Sequence, residues 1–534
     1  MPTFKFDDRE IPFQPGDTVI RAAQRAGVDV PHYCWHPGLS VAANCRMCLV
    51  ELMPPPGRPA LMLDVLTWDA EKQTYVPQKK PKLVPACQQA AGEGMVIRSQ
   101  TSEHVVRARS AVQELLLLNH PVDCPICDQA GECRLQDYWL EHQGTKKRMR
   151  DEPVHKPKAV RFGPTIVYDA ERCIVCTRCV RFVEEVAKDP VLNVRERGNL
   201  NEITVAPGRE LDNGYTLMTE YVCPVGALTA VDFRFKARVW FLRSSRSVCV
   251  GCATGCSSFT DFDPRSQKVY RYRPRENMAV NKYWMCDDGM LDYRRIHENR
   301  VLSAAVRGEK TTKEAALALA VELLSNAPVE KTAVVLSAEH SLEDNFALLA
   351  LARDVLKTEN VYVSGRPEGQ GDDILRHPDK NPNHQGLKVI APTARSFSDF
   401  VQAAIAGNIT HALSLGSALS DPDKAAALKN IKNLVAVATH AGPFAEHARV
   451  LLPASSWAES DGTFVNAKGI AQESERAILP RGDSRPAWRW LTELSRELGH
   501  APAWRKIEEL RTAFQPGSSA ATPAAGTGAG AGAS

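Results

Sequence analysis

Fifteen cysteines stand between Cys34 and Cys286, and none follows. Most of them sit a few positions from another cysteine. A disulfide framework fits an odd count in a long chain poorly. In a reducing compartment such spacings read as thiolate ligands, and thiolates select zinc or iron–sulfur clusters. The ligand candidates fall into four groups.

The first is Cys34-x10-Cys45-x2-Cys48, completed by Cys87. Four thiolates with one close pair read as a 2Fe–2S site, related to the C-x4-C-x2-C pattern of plant-type ferredoxins. A structural zinc site usually pairs two short units, and only one is present. His32 and His36 flank Cys34. With four cysteines available, they are expected to pack rather than to ligate as in a Rieske centre.

The second group is His120-x3-Cys124-x2-Cys127-x5-Cys133. Three cysteines fall one short of a complete set, and an imidazole stands where the fourth ligand belongs. Spacing leaves 4Fe–4S and a zinc site of three cysteines and one histidine both open. The third group is Cys173-x2-Cys176-x2-Cys179, completed by Cys223-Pro224. This is the bacterial ferredoxin run, in which the distant Cys-Pro serves the cluster of the other run. Val183 takes the place of the run's own fourth cysteine, and Asn213, Thr216 and Thr219 replace the first three of the other run. One 4Fe–4S cluster is kept and one is deleted. The fourth group is Cys249-x2-Cys252-x3-Cys256 with Cys286. Its spacing is open to 4Fe–4S or zinc. Together the four groups use every cysteine, and that closure supports the partition.

The elements that position these residues are legible in outline. Short strands are expected at Phe4–Asp7 and Ile11–Phe13. A helix follows Gly16-Asp17-Thr18, with Asp17 as cap and Gly27 at its end. Met53–Pro85 is rich in proline and reads as a long loop. Ser102–Leu140 reads as helical around the second group, and Gly144–Lys158 as a solvated basic linker. Beyond Val301, helices and strands alternate. Thr311-x-x-Glu314 is a capping box before Ala315–Leu324. Strands are expected at Thr332–Leu336, Val361–Val363, His411–Leu415 and Leu434–Ala438. Helices are expected at Glu343–Leu356, Phe397–Ile405 and Asp423–Asn430. The alternation argues for a parallel sheet with crossover helices. The Ala/Gly/Ser/Pro tail from Gly517 is expected to be disordered.

Composition sets the outer limits. The 534 residues are 44% hydrophobic and 24% charged, which excludes a collagen, a coiled coil or a wholly disordered chain. A net charge of +3 offers no case for nucleic acid or an anionic membrane surface. No apolar run is long enough to span a bilayer. MPTFKFDDRE lacks an apolar signal core, so a cytoplasmic location is expected.

The order of the motifs resembles one family. PHYCWHPGLSVAANCRMCLVE, NHPVDCPICDQAGECRLQD, ERCIVCTRCVRF and EYVCPVGALT are similar to the iron–sulfur motifs of the G subunit, the large iron–sulfur subunit of bacterial NADH-quinone oxidoreductase (respiratory complex I). LLPASSWAESDGTFVNAKGIAQ (Leu451–Gln472) resembles that family's segment in a molybdopterin-oxidoreductase-like domain. The likeness is close over residues 1–300 and loose over 301–500.

The resemblance implies a multidomain α+β and α/β fold. A plant-type 2Fe–2S ferredoxin domain would span 1–100, and a helical 4Fe–4S domain with one His and three Cys ligands 101–159. A single-cluster, bacterial-ferredoxin-like 4Fe–4S domain would span 160–243, and a 4Fe–4S domain of the molybdenum/tungsten-enzyme type 244–300. A truncated molybdopterin-oxidoreductase-like domain would follow at 301–515, then a tail at 516–534. It also implies 4Fe–4S at the His120 group and at the Cys249 group. The expected cofactors are then one 2Fe–2S and three 4Fe–4S clusters, with no molybdenum, flavin or NAD site in this chain.

Electrons would enter from an FMN-bearing NADH-oxidising subunit and leave toward quinone-side subunits, with the Cys249 cluster off that path. No catalytic site of its own is expected in the chain. Its place would be peripheral, on the cytoplasmic side of the inner membrane. Two departures stand out: a longer loop between Cys48 and Cys87, and a short chain with no cysteine after Cys286 to bind molybdenum. An iron–sulfur subunit of an NAD-linked formate dehydrogenase or hydrogenase is the alternative. A catalytic relative of that kind would need further metal ligands there.

Overall fold

The computed structural model describes residues 1–55, 57–144 and 148–514. The chain divides into two units, Met1–Val239 and a second that begins at Trp240.

The first unit opens with the hairpin β1 (Thr3–Phe6) and β2 (Arg9–Pro12), close to expectation. Phe4 and Phe6 face inward and Lys5 outward, the period of a half-buried strand. Helix α1 (Val19–Arg25) packs Val19, Ile20, Ala22 and Ala23 onto that face. Gly27 ends it with φ +70°, as read from the sequence. Asp17 does not cap it. Its carboxylate accepts from Gln14 N and from Arg25, and Thr18 is the N-cap, without a side-chain bond.

Strand β3 (Leu49–Met53) leads into the segment expected to be a loop. It instead forms a long antiparallel ribbon of β4 (Met62–Asp69) and β5 (Thr74–Pro81). Trp68 and Tyr75 face each other across it, ring centroids 5.2 Å apart. Prolines are tolerated because a two-stranded ribbon leaves half of its N–H groups outside the ladder. Strands β6 (Leu83–Pro85) and β7 (Val96–Arg98) complete a sheet of order β2-β1-β7-β3-β6.

Helix α2 (Glu103–Leu117) is capped by Ser102 Oγ, and α3 (Arg134–His142) follows the second cysteine group. Two fully buried polar side chains fasten α2. Arg109 donates to Leu49 O and Ser99 Oγ, and Gln113 bonds Tyr33 OH and Leu135 O. Residues 148–158 hold no regular element, and the rest of the predicted linker includes 145–147, outside the described residues. The unit closes with β8 (Val160–Arg161), β9 (Ile166–Tyr168), α4 (Arg178–Glu185), the hairpin β10 (Leu192–Arg195) and β11 (Glu202–Val205), α5 (Leu217–Val222) and β12 (Leu228–Ala230).

In the second unit, β13 (Arg243–Val248), β14 (Ser257–Asp263) and β15 (Lys268–Pro274) form an antiparallel sheet, followed by α6 (Asp287–Leu291). The α/β part then begins with β16 (Ala305–Val306), β17 (Glu309–Lys310) and α7 (Lys313–Ser325). Thr312, not Thr311, caps α7, through Ala315 N. Strand β18 (Thr332–Ser337), α8 (Leu342–Leu351) and β19 (Val361–Ser364) follow. A π turn extends α8 over Ala352–Leu356. Next come α9 (His384–Ile390), α10 (Phe397–Ile405), β20 (His411–Leu415), β21 (Asn433–Ala438), α11 (Pro443–His447) and β22 (Val450–Pro453). The expected helix at Asp423–Asn430 is a 3₁₀ run, Pro422–Asn430. A small hairpin, β23 (Gly462–Val465) and β24 (Ala471–Ser474), precedes α12 (Ala487–Glu497) and α13 (Ile507–Ala513).

The strand order is β17-β16-β22-β21-β20-β18-β19, parallel from β22 to β19. Within β18, Val334 and Leu336 enter a core beneath α7, α8 and α12, while Ala333 and Val335 enter a second core beneath α10. Burial on both faces explains the unbroken apolar run. The predicted tail falls outside the described residues.

Candidate metal centres

The first cysteine group is drawn together by the sheet. Cys48 precedes β3, Cys87 follows β6, and both are fully buried in its core. The Cys87 side chain beside Cys48, together with burial, pushes the Cys48 thiol well up. The Cys45 side chain beside Cys34, with the N–H groups of Cys45 and Asn44, holds the Cys34 thiol below its ordinary value. Ala43 and Arg46 adopt left-handed backbone, φ +50° and +60°, on either side of Asn44-Cys45. Such turns aim successive N–H groups at an anionic centre. His32 Nδ1 lies 2.6 Å from Val30 O, and His36 Nδ1 accepts from Gly38 N. Burial pushes both imidazoles down to about 3.

His120, Cys124, Cys127 and Cys133 line one cavity of about 450 Å³, walled by Leu135, Trp139 and Gly226. Burial lowers His120 to about 4, so its ring is neutral at pH 7 and able to donate a lone pair. Burial raises the Cys133 thiol to about 11. A Cβ at Gly226 would stand 2.3 Å from Cys127 Sγ, so a larger residue there would force that sulfur to move. Arg238 donates to Cys127 O at 2.6 Å, and the Asp128 carboxylate accepts from Phe235 N.

Cys173, Cys176, Cys179 and Cys223 line a single pocket with Tyr168, Ile203 and Val225. Val175 and Thr177 are left-handed, φ +48° and +61°, so the loop can coil around a centre. Burial raises all four thiols, Cys173 and Cys176 to about 11 and Cys223 to about 12. A metal bound by these thiols would displace their protons. The positions where a second ferredoxin-type cluster would take its ligands are filled. Val183 is fully buried, Thr219 Oγ1 donates to Thr216 O, and Asn213 donates to Asp189.

Cys249, Cys252, Cys256 and Cys286 are all buried. Gly289 lies between two of them: a Cβ would meet Cys249 Sγ at 3.1 Å and Cys286 Sγ at 3.4 Å. Gly251 N and Gly289 N donate to those same sulfurs. Burial pushes Cys286 up to about 12. Leu451–Gln472 braces this loop. Gln472 donates to Gly255 O at 2.6 Å, Asn466 to Thr254 O, and Ala467 N to Ala253 O. Sequence reading missed both supporting side chains, because their partners lie some two hundred residues away.

Among the described residues, no three ligand side chains converge on one ion. A cluster distributes its ligands over several irons and needs that wider spread. A cavity of about 400 Å³ opens over the carboxyl ends of β18, β20 and β21, lined by Arg295, His340, Arg366, Ser417, His440 and Trp457 among others, with no cysteine.

Family models agree with this order. Residues 1–102 match a 2Fe-2S iron-sulfur cluster binding domain. Residues 109–148 match the NADH-ubiquinone oxidoreductase-G iron-sulfur binding region. Residues 163–229 match the ferredoxin-like domain of NADH-quinone oxidoreductase subunit 3, and 298–497 match molybdopterin oxidoreductase. The chain is 34% identical to the NADH-quinone oxidoreductase G subunit of Streptomyces coelicolor, over 68% of this chain and 41% of that one. It is 36% identical to subunit 3 of the Thermus thermophilus enzyme, over 68% and 47%. The chain belongs to the family of NADH-quinone oxidoreductase G subunits. It spans about half the length of the family relatives it matches. It also aligns with a solved chain of an NAD+-reducing [NiFe]-hydrogenase, at 28% identity over 45% of this chain and 91% of that chain, with a TM-score of 0.36. The family resemblance read from the motifs, and the multidomain α/β arrangement with it, hold.

Proposed function

We propose that the chain is an electron-transfer subunit of NADH-quinone oxidoreductase, carrying electrons from an FMN- and NADH-binding subunit toward quinone-side subunits. Cys34, Cys45, Cys48 and Cys87 would hold a 2Fe–2S cluster. His120, Cys124, Cys127 and Cys133 would hold one 4Fe–4S cluster, and Cys173, Cys176, Cys179 and Cys223 a second. Cys249, Cys252, Cys256 and Cys286 would hold a third, off the main path. When bound, such clusters supply one-electron carriers whose potentials follow net charge, burial and hydrogen bonds to sulfur.

The observation that carries this reading is the completeness of all four donor sets, two of them lining cavities. The protein's part is to hold thiolates and one neutral imidazole, to bury them, and to aim N–H groups at the sulfurs. The domain limits that go with it are 1–100, 101–159, 160–243, 244–300 and 301–515. The last has no thiolate in its cavity and is read as a remnant without molybdenum. No helix among the described residues is long and apolar enough to cross a membrane, which suits a peripheral arm on the cytoplasmic side.

Metal analysis of the anaerobically purified chain tests the assignment. Two irons for the first set and four for each of the others are expected, with acid-labile sulfide in equal amount and no molybdenum or tungsten. Stoichiometric zinc would show that a four-iron set has been misread, and stoichiometric molybdenum would overturn the remnant reading.

A further inference from the structure

Helix α4 places two arginines around Cys179, and both are buried: Arg178 is 7% exposed and Arg181 8%. Their partners are carbonyls and a hydroxyl, not carboxylates. Arg178 donates to Trp35 O and, at 3.3 Å, to Val222 O, and its Nε has no partner. Arg181 Nη2 donates to Cys34 O at 2.6 Å and to Cys176 O at 3.3 Å. Its Nη1 reaches Ser40 O, and its Nε reaches Thr177 Oγ1. One guanidinium nitrogen therefore joins the backbones of a ligand residue from the first cysteine set and one from the third. The seam continues on both sides. Glu185 accepts from Ser40 N at 2.8 Å, and Asn44 donates to Val175 O at 3.4 Å.

A guanidinium stays charged inside proteins, and a buried charge without an opposite charge is costly. In their charged forms Cys176 and Cys223 attract Arg178, and Arg181 favours the charged forms of Cys34 and Cys176. A loaded cluster held by four thiolates is itself anionic, and reduction adds one more negative charge.

We propose that Arg178 and Arg181 are positioning residues shared by the Cys34 and Cys173 sets, clamping the two ligand loops together and raising the reduction potential of both clusters. The inference rests on the cluster assignment above. Positive charge beside both sets makes the added electron less costly in each. The carbonyl clamp keeps the loops from parting when that charge changes.

The test is a dithionite redox titration of the full chain, followed by paramagnetic resonance, with iron and sulfide measured in parallel. Arg178→Gln and Arg181→Gln should keep their iron and lower both midpoint potentials. The expected fall is at least tenfold in the reduction equilibrium constant, about 59 mV for one electron. Unchanged potentials in fully loaded variants would overturn the proposal, as would a shift confined to one cluster. If the Gln variants fail to load, Arg178→Lys and Arg181→Lys decide. They keep the charge, so loaded protein with near-parental potentials supports the proposal, and a tenfold fall despite the retained charge sinks it. Absence of either signal from the parent would instead refute the cluster assignment.

Discussion

Asp123 and Arg172, each the residue before the first cysteine of its group, form a two-pronged ion pair, with Nε 2.9 Å from Oδ1 and Nη2 2.6 Å from Oδ2. The pair ties the loop of the second cysteine set to the loop of the third. Burial works against the Asp123 charge, but Arg172 and Lys158 outweigh it and hold the carboxyl below its ordinary value. A carboxylate depressed in the folded state stabilises above the ordinary carboxylate range, and that contribution is lost as pH falls through the folded value. Asp123→Asn should therefore cost about 1–3 kcal/mol at neutral pH. The loss is moderated because Arg172 keeps Asp169 at 3.4 Å. Denaturation midpoints of parent and variant, compared across pH, should converge in acid below about pH 4. A gap that persists there would mean that the pair acts through shape rather than charge.

His120→Cys should retain a 4Fe–4S signal at lower potential. The neutral imidazole is replaced by a thiolate, and the added electron then meets one more negative charge. A tenfold change in the reduction equilibrium, about 59 mV, is the scale expected. Pulsed paramagnetic resonance supplies the second readout: nitrogen coupling in the parent, absent in the variant. A reduced parent cluster without that coupling would remove His120 from the ligand set.

Gly226→Ala should empty the second site while sparing the others. The new methyl would stand 2.3 Å from Cys127 Sγ, so the sulfur must move. Overpacking of this kind costs about 1–3 kcal/mol, and a displaced ligand costs the cluster as well. Iron should fall by the content of one four-iron site. Gly251→Ala is the comparison, since its methyl would meet Cys249 Sγ at an ordinary 3.4 Å, and its iron should stay complete. Equal iron in the two variants would show that the site tolerates the collision.

Cys176→Ala should abolish NADH–quinone activity in the assembled complex, because the site it empties lies on the proposed route. Cys252→Ala should leave most activity if the complex assembles. Metal binding and folding are coupled, so assembly is measured beside rate. Comparable losses in two well-assembled variants would place the Cys249 set on the route after all.

Local spacing makes much of this protein legible. Most candidate ligands lie in short runs, and a run such as Cys173 to Cys179 is confined by chain geometry whatever surrounds it. The strand at His411–Leu415 is legible as a short, largely apolar run buried on both faces, and the helix at Phe397–Ile405 because its apolar residues repeat at the helical period. Errors arise where a residue has more than one possible partner. Asp17 could cap α1, but Arg25 and Gln14 N take its carboxylate. Two neighbouring threonines could cap α7, and the structure uses Thr312. Met53–Pro85 reads as a loop when its prolines are weighed without the strand pairing that accommodates them.

What only the tertiary structure decided is how the loops hold one another. The juxtaposition of Cys48 and Cys87, the brace of Gln472 on Gly255, and Arg181 between Cys34 and Cys176 all depend on segments far apart in the chain. Nothing in the local sequence marks an arginine as the one that will be buried against a distant carbonyl. A hydrogen bond is chosen by what the completed fold brings within about 3 Å, whereas a ligand run carries most of its geometry in its own spacing.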